Sequence, residues 1–279
     1  MHLTYARLSK KPSSFLNLTG LKLSEFEKIC ARIQPVWNQK IEGNRKSPAG
    51  RPSVLKQLED KVLAVFIYYR TYITHEFLGY LFGLHNANIC RLFRKIEPII
   101  AGAITIKKDR TLTKEKILRI LADVTEQPIQ RPKKAAKQKA SYSGKKKRHT
   151  QKMEIVVAGE GKIISTSASY PGRCHDFYIR KEEKPLPRGA DKYVDSGYQG
   201  LQKRTDSVHL PEKKKRKQPL TQEQRKHNQE LGSVRIAVEH KIREIKIFKI
   251  LSEVYRNFQK KHHMRFNIIA AIVNFKHGF

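Results

Sequence analysis

Apolar residues change their spacing near residue 112, and that change splits the chain into two kinds of structure. Before it they recur at three- and four-residue intervals, as in helices that bury one face. Phe26, Ile29, Cys30, Ile33 and Trp37 predict a helix over Leu23–Trp37, with Ser24 and Glu27 spaced as a capping box. Leu55, Leu58, Val62, Leu63, Phe66 and Tyr69 predict a second over Val54–Tyr69. The polar stretch EGNRKSPAGRPS between them reads as a loop.

A helix-turn-helix pattern follows at about residues 74–97. Thr74 caps a short helix over His75–Phe82, Gly83-Leu84-His85 makes the turn, and a second helix runs from Asn86 to Glu97 before Pro98. That second helix turns Ile89, Leu92, Phe93 and Ile96 inward and Asn86, Asn88, Arg91, Arg94 and Lys95 outward. Asn and Arg suit base edges in a major groove. A plain helical hairpin has the same apolar pattern, so overall charge carries the DNA reading.

Lys and Arg number 58 against 25 Asp and Glu, a formal net charge of +33. Such an excess repels itself unless a polyanion offsets it, and nucleic acid is the natural one. The basic residues do not follow one amphipathic helix, and the apolar runs VLAVFIYY and IIAAIV are too short to span a bilayer, so no membrane partner is expected. Cys30, Cys90 and Cys174 are far apart, which argues against a disulfide framework or zinc site. With no signal-peptide pattern in MHLTYARLSKKPSSF, the expected location is the cytoplasm, at the nucleoid.

In the second part, ILRILADV reads as a strand after a short basic helical turn, and QRPKKAAKQKASYSGKKKRHT as a long basic connector. KMEIVVAG and KIISTSAS are two strands joined through Gly159-Glu160-Gly161. KYVDSGYQG is a short strand ending in a glycine turn, SVHL another, and helices are expected over Gln222–Ile250 and His263–Lys276. The basic runs Lys145, Lys146, Lys147, Arg148 and Lys213–Lys217 suit phosphate tracking.

Three acids stand at the edges of apolar segments: Asp123, Asp195 and Glu239. Asp123 and Asp195, each at a strand end, would lie side by side if their strands were parallel neighbours. Glu239 lies on a helix with Arg235 four residues before it and Lys246 seven after, nearly on one face, beside the stripe Val238, Ile242 and Ile245. Carboxylates gathered around a pair of hard divalent ions suit phosphodiester chemistry. The same spacing also fits ordinary surface ion pairs. Glu126 is an accessory acid or a salt-bridge partner of the connector, His175-Asp176 reads as a structural cap, and His262-His263 as a surface pair at a helix start.

In their order, DVTEQPIQRP, YSGKKKRHTQK, SYPGRCHDF, VDSGYQGL, PLTQEQRKHNQ and RIAVEHKIREIKIFKIL resemble bacterial insertion-sequence transposases of the DDE superfamily, in the insertion-sequence-five type group. The match runs from about Leu112 to the C-terminus, with a weaker likeness over the helix-turn-helix. The resemblance implies a ribonuclease-H-like α/β fold, a mixed sheet flanked by helices, over 112–279, behind a helical DNA-binding region over 1–111. It implies Asp123, Asp195 and Glu239 as metal-binding catalytic acids and gives Arg235 and Lys246 a place in a tyrosine-arginine-glutamate-lysine motif. The tyrosine of that motif falls at Gly232, where the chain departs from the pattern.

The expectation is therefore a transposase that binds terminal inverted repeats, cleaves strands with two Mg2+ (or Mn2+) ions and transfers them to target DNA, as a homodimer on duplex DNA. The alternative is a catalytically silent, sequence-specific DNA-binding protein derived from one. A basic RNA-associated protein sharing the sheet is a further alternative, which the acids disfavour.

Overall fold

The computed structural model describes residues 2–42, 53–106, 119–187, 189–214 and 218–279. The chain falls into two compact units. One comprises Met1–Thr105 with Lys246–Glu253 and Met264–Phe279, the other Ile106–Ile245 with Val254–His263. The division expected after residue 111 and the basic helical turn before ILRILADV both fall largely outside the described residues, and most of the last helix groups with the first unit.

The first unit contains α1 (Tyr5–Leu8), α2 (Pro12–Thr19), α3 (Leu23–Trp37), α4 (Leu58–Thr71), α5 (His75–Phe82), α6 (Asn86–Ile104) and most of the C-terminal helix, His262–Lys276. The inward residues expected of α3 are all buried. Its cap lies two residues earlier than Ser24: the Glu25 carboxylate accepts the Lys22 backbone N–H at 2.7 Å. A carboxylate there also meets the positive end of the helix dipole. Helix α4 starts at Leu58 rather than Val54, with Leu55 buried ahead of it. Phe15, Phe26 and Phe66 pack edge to face, with centroids 5.2 and 6.0 Å apart.

Thr74 caps α5 as expected, its hydroxyl accepting the Phe77 N–H at 3.1 Å. Helix α6 does not stop at Pro98 but continues to Ile104. Proline leaves the Arg94 carbonyl without its helical donor. Both residues are exposed, so water can serve that carbonyl, while buried Ile99, Ile100 and Ile104 hold the last turns in place. Wholly buried Glu97 accepts from Arg265 Nε at 2.7 Å and from the Tyr69 hydroxyl at 3.2 Å, tying α6 to the C-terminal helix.

The second unit is a mixed sheet. It contains β1 (Arg119–Pro128), α7 (Ala135–Ser141), β2 (Tyr142–Ser143), β3 (Arg148–Ala158), β4 (Ile163–Thr166), β5 (Tyr170–Pro171), α8 (Asp176–Glu182), β6 (Asp191–Val194), β7 (Val208–His209) and α9 (Gln222–Lys246). The strand order is β2-β3-β1-β6-β7, with β4 and β5 also on β3. β3 pairs antiparallel with β1, with Asp123 opposite Ile155. β6 pairs parallel with β1, and β7 parallel with β6. The basic connector is not featureless: it forms α7 and β2, since Ala135, Ala136 and the long side chains around them favour helix despite sparse apolar content. The β3–β4 hairpin turns at the expected glycines, and Gly161 has φ of 90°, the left-handed region that glycine tolerates.

Ile120, Ala122, Val156, Ala158, Ile164, Val194, Tyr198 and Leu201 form the core of this unit. Buried Lys192 on β6 donates to the Ala190 and Asp206 carbonyls at 2.8 and 2.9 Å and pairs with the Asp206 carboxylate at 3.0 Å. The expected helix over Gln222–Ile250 ends at Lys246 and is followed by a 3-10 turn over Lys249–Leu251. Val238 and Ile245 are buried as expected, while Ile242 is half-buried.

Candidate active site

The parallel ladder between β1 and β6 fixes the heart of the site. Its last pair is Ala122 with Val194, so the next residue of each chain segment is an aspartate, Asp123 and Asp195. Asp195 lies at a strand end as expected, whereas Asp123 stands mid-strand, because β1 runs on along β3 to Pro128. Asp123 accepts the Val124 N–H at 2.8 Å and Asp195 the Ser196 N–H at 2.6 Å.

Helix α9 brings Arg235 to this pair, with a guanidinium nitrogen 3.6 Å from Asp195. The Arg235 Nε is buried and has no hydrogen-bond partner among the described residues. Burial pushes the Asp123 carboxyl up from its ordinary 3.8 to about 6; Arg235 and the Val124 N–H pull it down, and the charges of Asp195 and Asp176 add to the rise. Asp176 is therefore part of the electrostatic surroundings of Asp123, beyond the capping role read from sequence. It opens α8, pairs with Lys152 at 2.9 Å, and lies so close to Gly197 that a Cβ built there would sit 2.6 Å from its carboxylate.

Glu239 is exposed on α9. It lies one turn past Arg235, about 6 Å further along the axis and about 40° round it. Among the described residues no three His, Cys, Asp or Glu side chains are close enough to hold one ion. The geometry thus brings Asp123 and Asp195 together and leaves Glu239 outside that pair. Lys246 is the last residue of α9. Glu126 accepts the Thr150 hydroxyl at 2.6 Å and, among the described residues, pairs with no cation of the connector. His262 is not a surface residue: it is buried, 2.7 Å from Gln127 Oε1 and 2.8 Å from the Ser169 hydroxyl, while His263 stays exposed.

A family model described as DDE superfamily endonuclease matches residues 122–274, which takes in all three acids. The chain belongs to the DDE endonuclease superfamily. A second model, described as the helix-turn-helix of DDE superfamily endonuclease, matches residues 54–105, the span of α4 to α6. The chain is 37% identical over 243 residues to a protein of Microchaete diplosiphon named as the transposase for insertion sequence element IS702, covering 84% of this chain and 86% of that one. It is 24% identical over 264 residues to one of Streptomyces albus G named as the transposase for insertion sequence element IS112, covering 93% and 94%. No solved structure matches the chain. It is an insertion-sequence transposase of the DDE superfamily, with a ribonuclease-H-like mixed sheet and an N-terminal helix-turn-helix.

Endonucleases of this superfamily work with divalent metal ions. The residues present suit such an ion. Asp123 and Asp195 offer hard oxygen donors side by side, and a cation beside them would relieve the burial cost that raises the Asp123 carboxyl.

In the helix-turn-helix of this transposase, Asn86, Asn88, Arg91, Arg94 and Lys95 are all exposed along α6, as expected. Asn88 accepts from Arg91 at 2.9 Å and Glu76 from Asn86 at 2.6 Å, which orients three of the outward side chains. Lys145, Lys146 and Lys147 form an exposed basic turn between β2 and β3, and exposed Arg148 opens β3. Of the run Lys213–Lys217, Lys213 and Lys214 are exposed and the rest lies outside the described residues.

Sequence reasoning missed the buried partners of the site: Glu154 on β3, Arg180 on α8, and Tyr198. A signal was there, since Glu154 is the one charged residue inside the otherwise apolar run MEIVVA. At the departure from the family motif, Gly232 has open space around any added Cβ. Gly232→Ala should therefore raise stability by about 0.5–1 kcal/mol through helix propensity, read as a higher unfolding midpoint. A lower midpoint would mean that position needs glycine.

Proposed function

We propose that this transposase binds the terminal inverted repeats of its own element through α6 and cleaves the element ends at Asp123 and Asp195 with Mg2+. Asp123, Asp195 and, from α9, Glu239 would hold the metal. The adjacency of Asp123 and Asp195 at the end of the β1–β6 ladder carries the reading. Exposed Glu239 would reach the pair by changing rotamer from one turn beyond Arg235. Two Mg2+ ions, or Mn2+ in their place, would supply water activation and charge neutralisation at the phosphate.

The chain's own residues account for the rest. Asp123 on β1 and Asp195, one residue past the end of β6, follow the last pair of the ladder, so their backbones are neighbours there. Arg235 aims positive charge at the same spot, where it would stabilise the negative phosphate as the P–O bond breaks. Hydrolysis breaks the bond between phosphorus and the element's terminal 3′ oxygen and leaves a 3′-hydroxyl. That hydroxyl then attacks a target phosphate in the same site, forming one P–O bond as another breaks. The Lys145–Arg148 turn and Lys246 would hold backbone phosphates. Joining two element ends requires two catalytic units, so a homodimer on DNA is part of the proposal.

The test uses the full chain, Mg2+ and a duplex ending in the element's own repeats. Nicking at the repeat boundary, dependent on metal and absent on a scrambled duplex, is expected. Specific binding without nicking would indicate a silent DNA-binding derivative instead. In the same assay, Arg91→Ala or Arg94→Ala should cost about 1–3 kcal/mol of binding and relax specificity at one position. An equal loss on every sequence would make that arginine a phosphate contact.

A further inference from the structure

We propose that Glu154 is a positioning residue for the two aspartates, holding from β3 both the turn that carries Asp195 and the helix that opens with Asp176. The inference rests on the reading that Asp123 and Asp195 share a divalent cation. Glu154 lies opposite Val124, the residue after Asp123, and is 1% exposed. A carboxylate so buried is strongly disfavoured unless hydrogen-bonded and paired. Both of its oxygens are engaged: Oε1 accepts from the Tyr198 hydroxyl at 2.9 Å and Oε2 from Arg180 at 2.5 Å.

The first bond fixes the second aspartate. Pairing of β6 with β1 ends at Val194, so the ladder itself does not hold Asp195. The turn after it is held by Tyr198, wholly buried, whose N–H donates to the Asp195 carbonyl at 2.9 Å and whose hydroxyl reaches Glu154. A rigid ring thus links Asp195 to the strand beside Asp123. The second bond fixes α8. Arg180 also donates to the Lys184 carbonyl, just past the end of the helix, and Lys152, on the same face of β3 as Glu154, grips Asp176 at the helix start. Asp176 in turn packs on Gly197 in the Asp195 turn. One buried carboxylate therefore sets the spacing of groups arriving from two separate elements.

The test measures Mn2+ binding by electron paramagnetic resonance on the full chain without DNA. Tyr198→Phe removes a single hydroxyl and keeps the ring. Ile163→Val, a buried change on β4, is the control for lost stability alone. Tyr198→Phe should weaken Mn2+ binding about 10-fold, the lower end of the range for groups that orient metal ligands, because its hydroxyl acts through Glu154 and the Asp195 turn. The Mg2+ needed for half-maximal nicking should rise by the same factor, with the rate restored at saturating Mg2+. Ile163→Val should bind Mn2+ like the wild type. Unchanged affinity in Tyr198→Phe beside a binding wild type would overturn the positioning role alone. A wild-type chain that takes up no Mn2+ would overturn the underlying metal reading as well.

Discussion

Asp123→Asn and Asp195→Asn should each slow nicking of the repeat boundary by about a thousand-fold or more while leaving repeat binding nearly intact. At 1.36 kcal/mol per tenfold, that is about 4 kcal/mol of lost transition-state stabilisation. The separation of effects follows from placement: the acids stand on the sheet, and the outward residues of the helix-turn-helix stand on α6. Asp123→Asn carries a second signature in the metal-free protein. Its carboxyl is raised in the folded chain from 3.8 to about 6, so folding favours the protonated form. The stability from that proton is fully present below about pH 4 and is lost as pH rises through 6. Above that, the ionised group costs about 2–3 kcal/mol, at 1.36 kcal/mol per pKa unit. Asparagine carries no charge, so the variant should melt higher than the wild type at pH 7.5 and alike at pH 4. Thermal scans at both values check this; a variant that melts lower at pH 7.5 would contradict the burial of Asp123.

The second large effect concerns the fold of the first unit. Arg265→Met should cost about 3–5 kcal/mol, because it removes the guanidinium 2.7 Å from the wholly buried Glu97. Replacing both members, Glu97→Gln with Arg265→Met, should recover much of that loss, since the cost lies in burying a carboxylate after its guanidinium partner is removed. Denaturant midpoints of the two single variants and the pair check the coupling. If the double variant is as unstable as Arg265→Met, packing rather than charge is responsible.

Much of this was legible in the sequence because it depends on local pattern. The helices Leu23–Trp37 and His75–Phe82 came from residue spacing and a threonine cap, and both match the structure to the residue. The meeting of Asp123 and Asp195 was readable as a conditional, two acids on parallel neighbouring strands, and the ladder meets the condition. Spacing could not place Glu239. Its direction depends on how α9 is rotated, which buried Leu231, Val238, Lys241 and Ile245 decide. Nor could it show Asp176 near Asp123, since that proximity arises from α8, between β5 and β6 in the chain, and a close fit against Gly197. Pro98 misled for a related reason: tertiary burial of the isoleucines beyond it outweighed a local breaker.

Iron-directed cleavage of the chain tests the paired-aspartate site most directly. With Fe2+ in place of Mg2+ and ascorbate present, hydroxyl radicals cut the backbone beside the bound ion. Cuts near residues 123 and 195, suppressed by excess Mg2+ and lost in Asp195→Asn, are expected. Cuts at other positions only, or an unchanged pattern in Asp195→Asn, would contradict a metal shared by these two strands.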